Sequence, residues 1–556
     1  MKASDYIVEF LIKNEITDVF GYPGGMVTHL MDSLSKYPVN SHITYHEQGA
    51  AFAACGYAQT TGKVGVAYAT SGPGATNLIT GICNAYFDSI PTLFITGQVN
   101  SFESKGEYGV RQRGFQETDI VSIVKPTTKY AAKIDDAGKL RWYLEKAFYI
   151  AQEGRKGPVL LDIPMNILRA EIDPETQEGF TPGKTIPDAD LSVLNEALEN
   201  ASRPVILAGS GIKMAGASKL FAEVADRLGI PVVSTMLSVD VYKDSYGFIG
   251  AYGSRTANFI VAKSDLVITL GARLDVRQIG AKRENFAPDA KIIRVDIDEG
   301  ELSLKAHEDE VQLHSDVKAV LKYMLTLPQK DLTEWNDICG RIKDELKDID
   351  SRLPNKLVQK ISDLIPEDAI VTTDVGQNQV WVAQSFNIKH GQRIFFSGGH
   401  GAMGYSLPAA IGCSLASGKE IYAFMGDGGL QMNIQELQVI SREALPVKVI
   451  LFNNSALGMI RHFQEMYFNG NYVQTVPSGG YTVPDFGAVA GAYKIPYTLI
   501  TSEEQISDSL FKDGPQFIEI QIDEPTYVFP KLEFGKPNQD QEPLLPREKY
   551  NKLMEL

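Results

Sequence analysis

Short apolar runs, each stopped by Gly, Pro or Asp, alternate with segments of helical spacing along most of this chain. In the first third they are TDVFGYP, VGVAYATSGPG, PTLFITGQ and GPVLLDIP, and the N-terminal MKASDYIVEFLIK reads as an amphipathic helix leading into the first of them. A second set runs through RPVILAGSGIKMAG, IPVVSTM, DLVITLGARLD and KIIRVDID, and a third through AIVTTDVG, IYAFMGDGG, VKVILFNN, YTLI and QFIEIQID. Strand, helix and strand in this rhythm specify parallel sheets with crossover helices. Residues 169–190 carry three prolines, an acidic bias and no periodicity, which predicts a linker. A charged helical stretch near 329–351 marks a second boundary. The pattern therefore predicts an α/β protein of three doubly wound parallel-sheet domains, over residues 1–170, 187–328 and 355–530. The Pro-rich end, 531–556, reads as an extended arm.

Length and composition agree with this division. A chain of 556 residues exceeds what one hydrophobic core supports, and 44% hydrophobic with 22% charged residues is a globular balance. The formal net charge of −16 excludes a phosphate backbone as partner, so nucleic acid is not expected and any bound diphosphate needs local neutralisation. No apolar stretch reaches membrane-spanning length and the N-terminus lacks the features of a signal peptide, so a cytoplasmic location is expected. The four cysteines, Cys55, Cys83, Cys339 and Cys413, stand far apart and are expected to be reduced and buried.

The most informative stretch is GDGGLQMNIQELQVISREALPVKVILFNN. Gly426, Asp427 and Gly428 close one strand, and Asn453 and Asn454 close the next. Asp427 and Asn454 are 27 positions apart, the length of a strand, a helix and a parallel strand, which returns both side chains to one sheet edge. A carboxylate beside an amide oxygen suits magnesium, a hard cation that completes its shell with phosphate oxygens and water. The glycines admit backbone N–H groups and a helix N-terminus to phosphates.

This pattern resembles the thiamine-diphosphate enzymes. The resemblance implies that Asp427, Asn454 and the Ala456 carbonyl bind Mg2+ and that Gly426, Gly428 and Gly429 lie near the diphosphate. It also makes Gln377 and Asn378 of DVGQNQVW further contacts, although the family often has His at the second position. In the first domain, FGYPGG, YHEQGAAFAACGYAQTTGK and ATSGPGATN extend the likeness. They make Glu47 the activating carboxylate, with Gly24 and Asn77 beside the cofactor. A carboxyl group bonded to the pyrimidine N1′ promotes the imino tautomer, whose nitrogen removes the C2 proton. Such a group belongs in an apolar pocket. In GGHGAMGYSLPAAIG, Met403 would support the bent cofactor and the Gly401 carbonyl would accept from its aminopyrimidine.

Across nearly the whole chain the sequence is similar to the catalytic subunits of acetohydroxyacid synthases, on PGGM, TSGPGATNLITG, GFQETD, DIDEGE and MNIQEL. That implies a pyrimidine-binding, a middle FAD-type and a diphosphate-binding domain, and a homodimer or homotetramer open to a regulatory subunit. FAD would meet Arg273, Ile297, Asp316, Gly209, Gly211 and Met236. Phe115 and Gln116 would border the reaction centre, and Arg277 would pair with the carboxylate of the acceptor. The implied reaction decarboxylates pyruvate and joins the two-carbon unit to a second 2-keto acid, giving 2-acetolactate, a step of branched-chain amino acid biosynthesis. Departures fall on the acceptor side: Phe463 stands where the family has Trp, Met165 where it has Lys, Ala251 where it has Met, and the loop before Phe115 is long and carries Arg111 and Arg113. Lys156 replaces an arginine and Val276 an acidic residue. A ligase using another acceptor, such as a nucleotide-linked ketosugar, and a flavin-dependent pyruvate oxidase remain alternative readings.

Overall fold

Each apolar run that ends in a turn residue becomes a parallel strand, because helices cover both faces and leave no alternation to satisfy. The computed structural model describes residues 1–183 and 189–556. The first sheet contains β1 (Asp18–Gly21), β2 (Asn40–Ile43), β3 (Gly65–Ala69), β4 (Thr92–Gln98), β5 (Tyr130–Lys133) and β6 (Pro158–Pro164), ordered β2-β1-β3-β4-β6-β5. The second contains β7 (Pro204–Ala208), β8 (Val232–Ser234), β9 (Leu266–Leu270), β10 (Lys291–Asp296) and β11 (Glu310–His314), ordered β11-β10-β9-β7-β8. The third contains β12 (Ile370–Thr373), β13 (Arg393–Phe395), β14 (Ile421–Gly426), β15 (Val447–Asn453), β16 (Tyr497–Ile500) and β17 (Gln516–Gln521), ordered β13-β12-β14-β15-β17-β16. The paired strands are parallel. Central strands β3, β4, β6, β7 and β9 are buried along their whole length. The expected fold class of three parallel-sheet domains is the one observed.

The contacts divide the chain into two compact units. One holds residues 1–184, 369–376 and 395–524; the other holds 185–368, 377–394 and 525–556. Within the first unit, the first and third sheets share one strand order, and in each a long helix follows the second strand: Glu47–Thr61 and Ser406–Ser417. These two helices pack together through small residues. A Cβ on Gly56 would overlap the Ala409 carbonyl, and one on Gly412 would overlap the Ala53 carbonyl. The contact is reciprocal and closer than side chains allow.

Two expectations change. The segment 531–556 is not extended to its end: Arg547–Glu555 is helical, because Leu553 is buried and Tyr550 meets Phe259 at 5.5 Å between ring centroids, an anchor that gives the last turns an apolar face. Cys83 is only partly buried, whereas Cys55, Cys339 and Cys413 are buried; all four are free thiols. The expected start of the middle domain at residue 187 lies outside the described residues.

Candidate functional site

Three sets of residues collect at strand C-termini, where open parallel sheets leave a crevice at the reversal of strand order. In the first sheet the reversal lies between β1 and β3. Gly24 follows β1, and a Cβ there would overlap the Thr70 side chain beyond β3. Glu47 is the first residue of its helix, 8% exposed, and Asn77 Nδ2 donates to its Oε2 at 2.9 Å. A Cβ on Gly74 would lie 3.1 Å from Glu47 Oε1, so the absence of a side chain keeps that oxygen open. His46 caps the helix by accepting from Gln48 N. Glu47, Asn77 and Gly24 thus meet around Gly74 and Thr70, and the alanines of the GAAFAAC that follows Glu47 are buried.

On the third sheet, Gly426 ends β14 and Asp427 opens the helix Asp427–Met432. Asp427 Oδ2 accepts from Asn454 N at 3.1 Å, Oδ1 accepts from Tyr481 Oη at 2.7 Å, and Asn454 Oδ1 accepts from Ala456 N at 3.2 Å. Ser455, between them, has φ of 50°, the strained turn that aims both neighbours at Asp427. Burial pushes the Asp427 carboxyl above the usual carboxylate range against hydrogen bonds from Tyr481 and backbone N–H groups. These donors are neutral, so a cation at this position would supply the missing compensation. Asn453 has a different place. Its Nδ2 donates to Glu519 Oε1 at 2.6 Å, locking β15 to β17.

Glycine supplies room beside Asp427. A Cβ on Gly429 would overlap Asp374 Oδ1, and one on Gly428 would meet Leu457, Met403 and Tyr481. Met403 therefore lies over the GDGG turn. Asp374, at the end of β12, is fully enclosed; burial raises its carboxyl to about 6 although Gly404 N and Ser406 N donate to it at 3.0 Å. Gly401 has φ of 68°. Gln377 and Asn378 begin a helix in the other compact unit. There Gln377 exchanges hydrogen bonds with Thr526, and Asn378 Oδ1 is buried with no partner among the described residues.

The second sheet gathers the middle set. Gly209 and Gly211 follow β7, Met236 follows β8, Arg273 and Arg277 follow β9, Ile297 follows β10 and Asp316 follows β11. A Cβ on Gly209 would overlap the Gly271 carbonyl, so the turns after β7 and β9 touch backbone to backbone at the reversal point. Arg273 pairs with Asp275 at 2.8 Å, and buried Arg294 holds the Arg273 carbonyl at 2.7 Å. The Arg277 guanidinium is 5.7 Å from the Tyr252 ring centroid. Asp316 caps a helix through Lys318 N, and the Ile297 carbonyl lies 3.1 Å from His314 Nε2.

Of the residues expected to face the acceptor, Phe115 is 78% exposed and Gln116 takes φ of 62° against Gly72. Phe463 is half exposed and packs on Tyr467 at 4.6 Å between centroids. Met165 opens a short helix after β6. Arg111 is exposed, while the Arg113 side chain donates to the carbonyls of Phe102 and Ser104. The long loop is folded around Glu117, which accepts from Ser104 Oγ, Lys105 N, Arg113 N and Gly114 N. Those bonds outweigh burial and hold its carboxyl near 2. Sequence reasoning missed Glu117, Tyr481 and Asp374; only Asp374, an acid at a strand end beside the GDG strand, left a readable signal.

Comparison with known proteins meets this geometry at every domain. The chain matches the thiamine pyrophosphate enzyme N-terminal TPP binding domain over residues 1–123, the central domain over 191–324 and the C-terminal TPP binding domain over 374–520. It is 36% identical to the acetolactate synthase isozyme 2 large subunit of Escherichia coli (strain K12), over 97% of this chain and 99% of that protein. It is 35% identical to the acetolactate synthase large subunit of Lactococcus lactis subsp. lactis (strain IL1403), over 96% and 94%. It is 34% identical to the chloroplastic acetolactate synthase 1 of Zea mays, over 96% and 87%. With two strand-end groups on sheets of one order and similarity along almost its entire length, the chain belongs to the acetolactate synthase family of thiamine pyrophosphate enzymes.

Proposed function

We propose that this protein decarboxylates pyruvate and transfers the two-carbon unit to a second 2-keto acid, releasing 2-acetolactate. The observation that carries this reading is the joint presence of the Glu47 group and the Asp427–Asn454 group in a chain similar to acetolactate synthase large subunits over 97% of its length. When bound, thiamine diphosphate would supply a nucleophilic carbon for the keto group and an electron sink for decarboxylation. Glu47 holds the proton shared with the pyrimidine N1′. Its one amide partner, Asn77, steadies a carboxyl oxygen without adding charge. Asp427, Asn454 and the Ala456 carbonyl hold Mg2+ against the diphosphate, and Gly428 and Gly429 leave space where side chains would block it. Met403, already against the GDGG turn, supports the bent ring system.

FAD occupies the crevice over the second sheet in this reading. The turns at Gly209 and Gly271 pack without side chains between them at the strand ends, and Arg273 would be the counter-charge for a diphosphate lying there. Phe115, Gln116 and Phe463 border the acceptor in this reading, and a guanidinium such as that of Arg277 suits its carboxylate. A complete centre joins the Glu47 group of one protomer to the Asp427 group of another, making the working form at least a homodimer. No helix among the described residues is long and apolar enough to cross a membrane.

Incubation with pyruvate, thiamine diphosphate, Mg2+ and FAD, followed by acid conversion of acetolactate to acetoin, tests the assignment. Acetoin at turnover rates is expected. Slow CO2 release without acetoin would overturn the acceptor and favour a second reading, a non-keto-acid acceptor such as a ketosugar. That alternative is supported by the long loop that precedes Phe115 in the chain, on which Phe102, Tyr108, Val110 and Arg111 are exposed.

A further inference from the structure

The turn that delivers Glu47 is held from outside its own sheet. Glu436 ends the turn Ile434–Glu436, shortly after the Asp427 helix, and its side chain is completely buried. Its carboxylate accepts from Tyr45 N, at 3.0 Å to Oε1 and 3.1 Å to Oε2, and from the N–H of His46. A Cβ on Gly49 would stand 2.5 Å from Oε1, so the missing side chain at Gly49 is the seat of this carboxylate. Residues on both sides of Glu47 are thus registered against one group. Glu47 itself turns the other way, towards Asn77 and Gly74. The segment bearing Glu436 is anchored in turn: buried Asn433 donates to the Gly404 carbonyl at 2.8 Å.

We propose that Glu436 is a positioning residue for Glu47, fixing the start of the helix so that the Glu47 carboxyl holds its place against the cofactor. This rests on the reading of Glu47 given above. An acceptor at a helix N-terminus satisfies N–H groups that have no partner inside the helix, and a buried carboxylate does so with little freedom to move. A displaced catalytic group loses rate without losing ligand, because the diphosphate and metal are bound elsewhere. Burial raises the Glu436 carboxyl to about 7 against the backbone donors of Tyr45 and His46, the charge of Arg442 and a side-chain bond from Gln435.

The test compares Glu436→Ala and Glu436→Gln with the unaltered full-length protein. Amide exchange of residues 45–49 is read without cofactor, and C2 proton exchange of bound thiamine diphosphate is read with it, alongside cofactor affinity. Glu436→Ala is expected to speed amide exchange in that segment and slow C2 exchange by about 10–100-fold, with affinity nearly unchanged. Glu436→Gln keeps an acceptor oxygen and recovers most of both. Unchanged C2 exchange in Glu436→Ala, or a Gln variant as defective as Ala, overturns the assignment. Glu47→Gln measured in parallel separates the two claims: if it abolishes C2 exchange while Glu436→Ala does not, only the Glu436 role falls. If it leaves exchange intact, both fall.

Discussion

Two adjacent asparagines show how finely a turn divides its work. Asn453 faces the sheet and satisfies Glu519, which also accepts from Tyr497 Oη at 2.7 Å; Asn454 faces Asp427. Asn453→Ala leaves a buried carboxylate short of a donor and is expected to cost about 1–3 kcal/mol of stability, read by denaturant unfolding, with Mg2+ affinity little changed. Asn454→Ala is expected to do the reverse, weakening Mg2+ in titrations of cofactor-loaded protein while unfolding stays near that of the parent. At Phe463, half exposed among aromatic neighbours, a change to Trp is expected to shift the acceptor preference from pyruvate towards 2-ketobutyrate, by roughly ten-fold for a change of this size in an apolar pocket. Competition between the two keto acids, with product ratios measured, checks it. Asp427 and Asn454 were legible because strand-helix-strand spacing returns a chain to one sheet edge, whereas Glu47 was legible only through the likeness of YHEQGAAFAACGYAQTTGK to the thiamine-diphosphate enzymes. Tyr481 and Glu436 were not, because their partners are reached by tertiary contact alone, 54 and 391 positions away.

Elements were legible where the chain runs apolar. The interior strands announced themselves as continuous apolar runs, while β2, β5, β11 and β13, each at a sheet edge, did not. An edge strand has one partner and an open flank, so NSHI, YAAK, EVQLH and RIF need no such run. β8 and β16 are also at edges and were readable: β8 is wholly buried, and YTLI is an apolar run although mostly not buried. The C-terminal helix was hidden by the prolines preceding it, which speak for the arm and not for its last turns. Among helices, the contact through Gly56 and Gly412 is the most sensitive to side-chain size. Gly412→Val places new atoms inside the Ala53 carbonyl and is expected to cost at least about 1–3 kcal/mol. A lowered unfolding temperature in thermal melts is the signature.

Over the whole molecule, charge couples parts that the chain order separates. His42 Nε2 is 2.8 Å from Asp18 and Nδ1 is 2.9 Å from Glu443, which also binds Arg442. Burial opposes the imidazolium, but the two carboxylates outweigh it and raise His42 to about 9; Asp18 and Glu443 are lowered in return. A raised histidine contributes stability that is complete below its ordinary value near 6.5 and is lost as pH rises through about 9. Lowered carboxylates contribute above their ordinary range and lose it only in acid. His42→Asn is therefore expected to lower the unfolding temperature at pH 7, with the deficit shrinking above pH 9; a pH series of melts measures it.

The shared strand order of the first and third sheets has its own consequence. In the dimer proposed above, two halves with the same wiring but different chemistry, one for a proton and the other for a metal and phosphates, would make every chain a donor of two unlike half-sites. Lesions in different halves then complement. Co-assembled chains carrying Glu47→Gln and Asp427→Asn, each inactive alone, are expected to build one centre from both lesions and one from neither, so a mixture of two dead proteins regains activity that neither possesses.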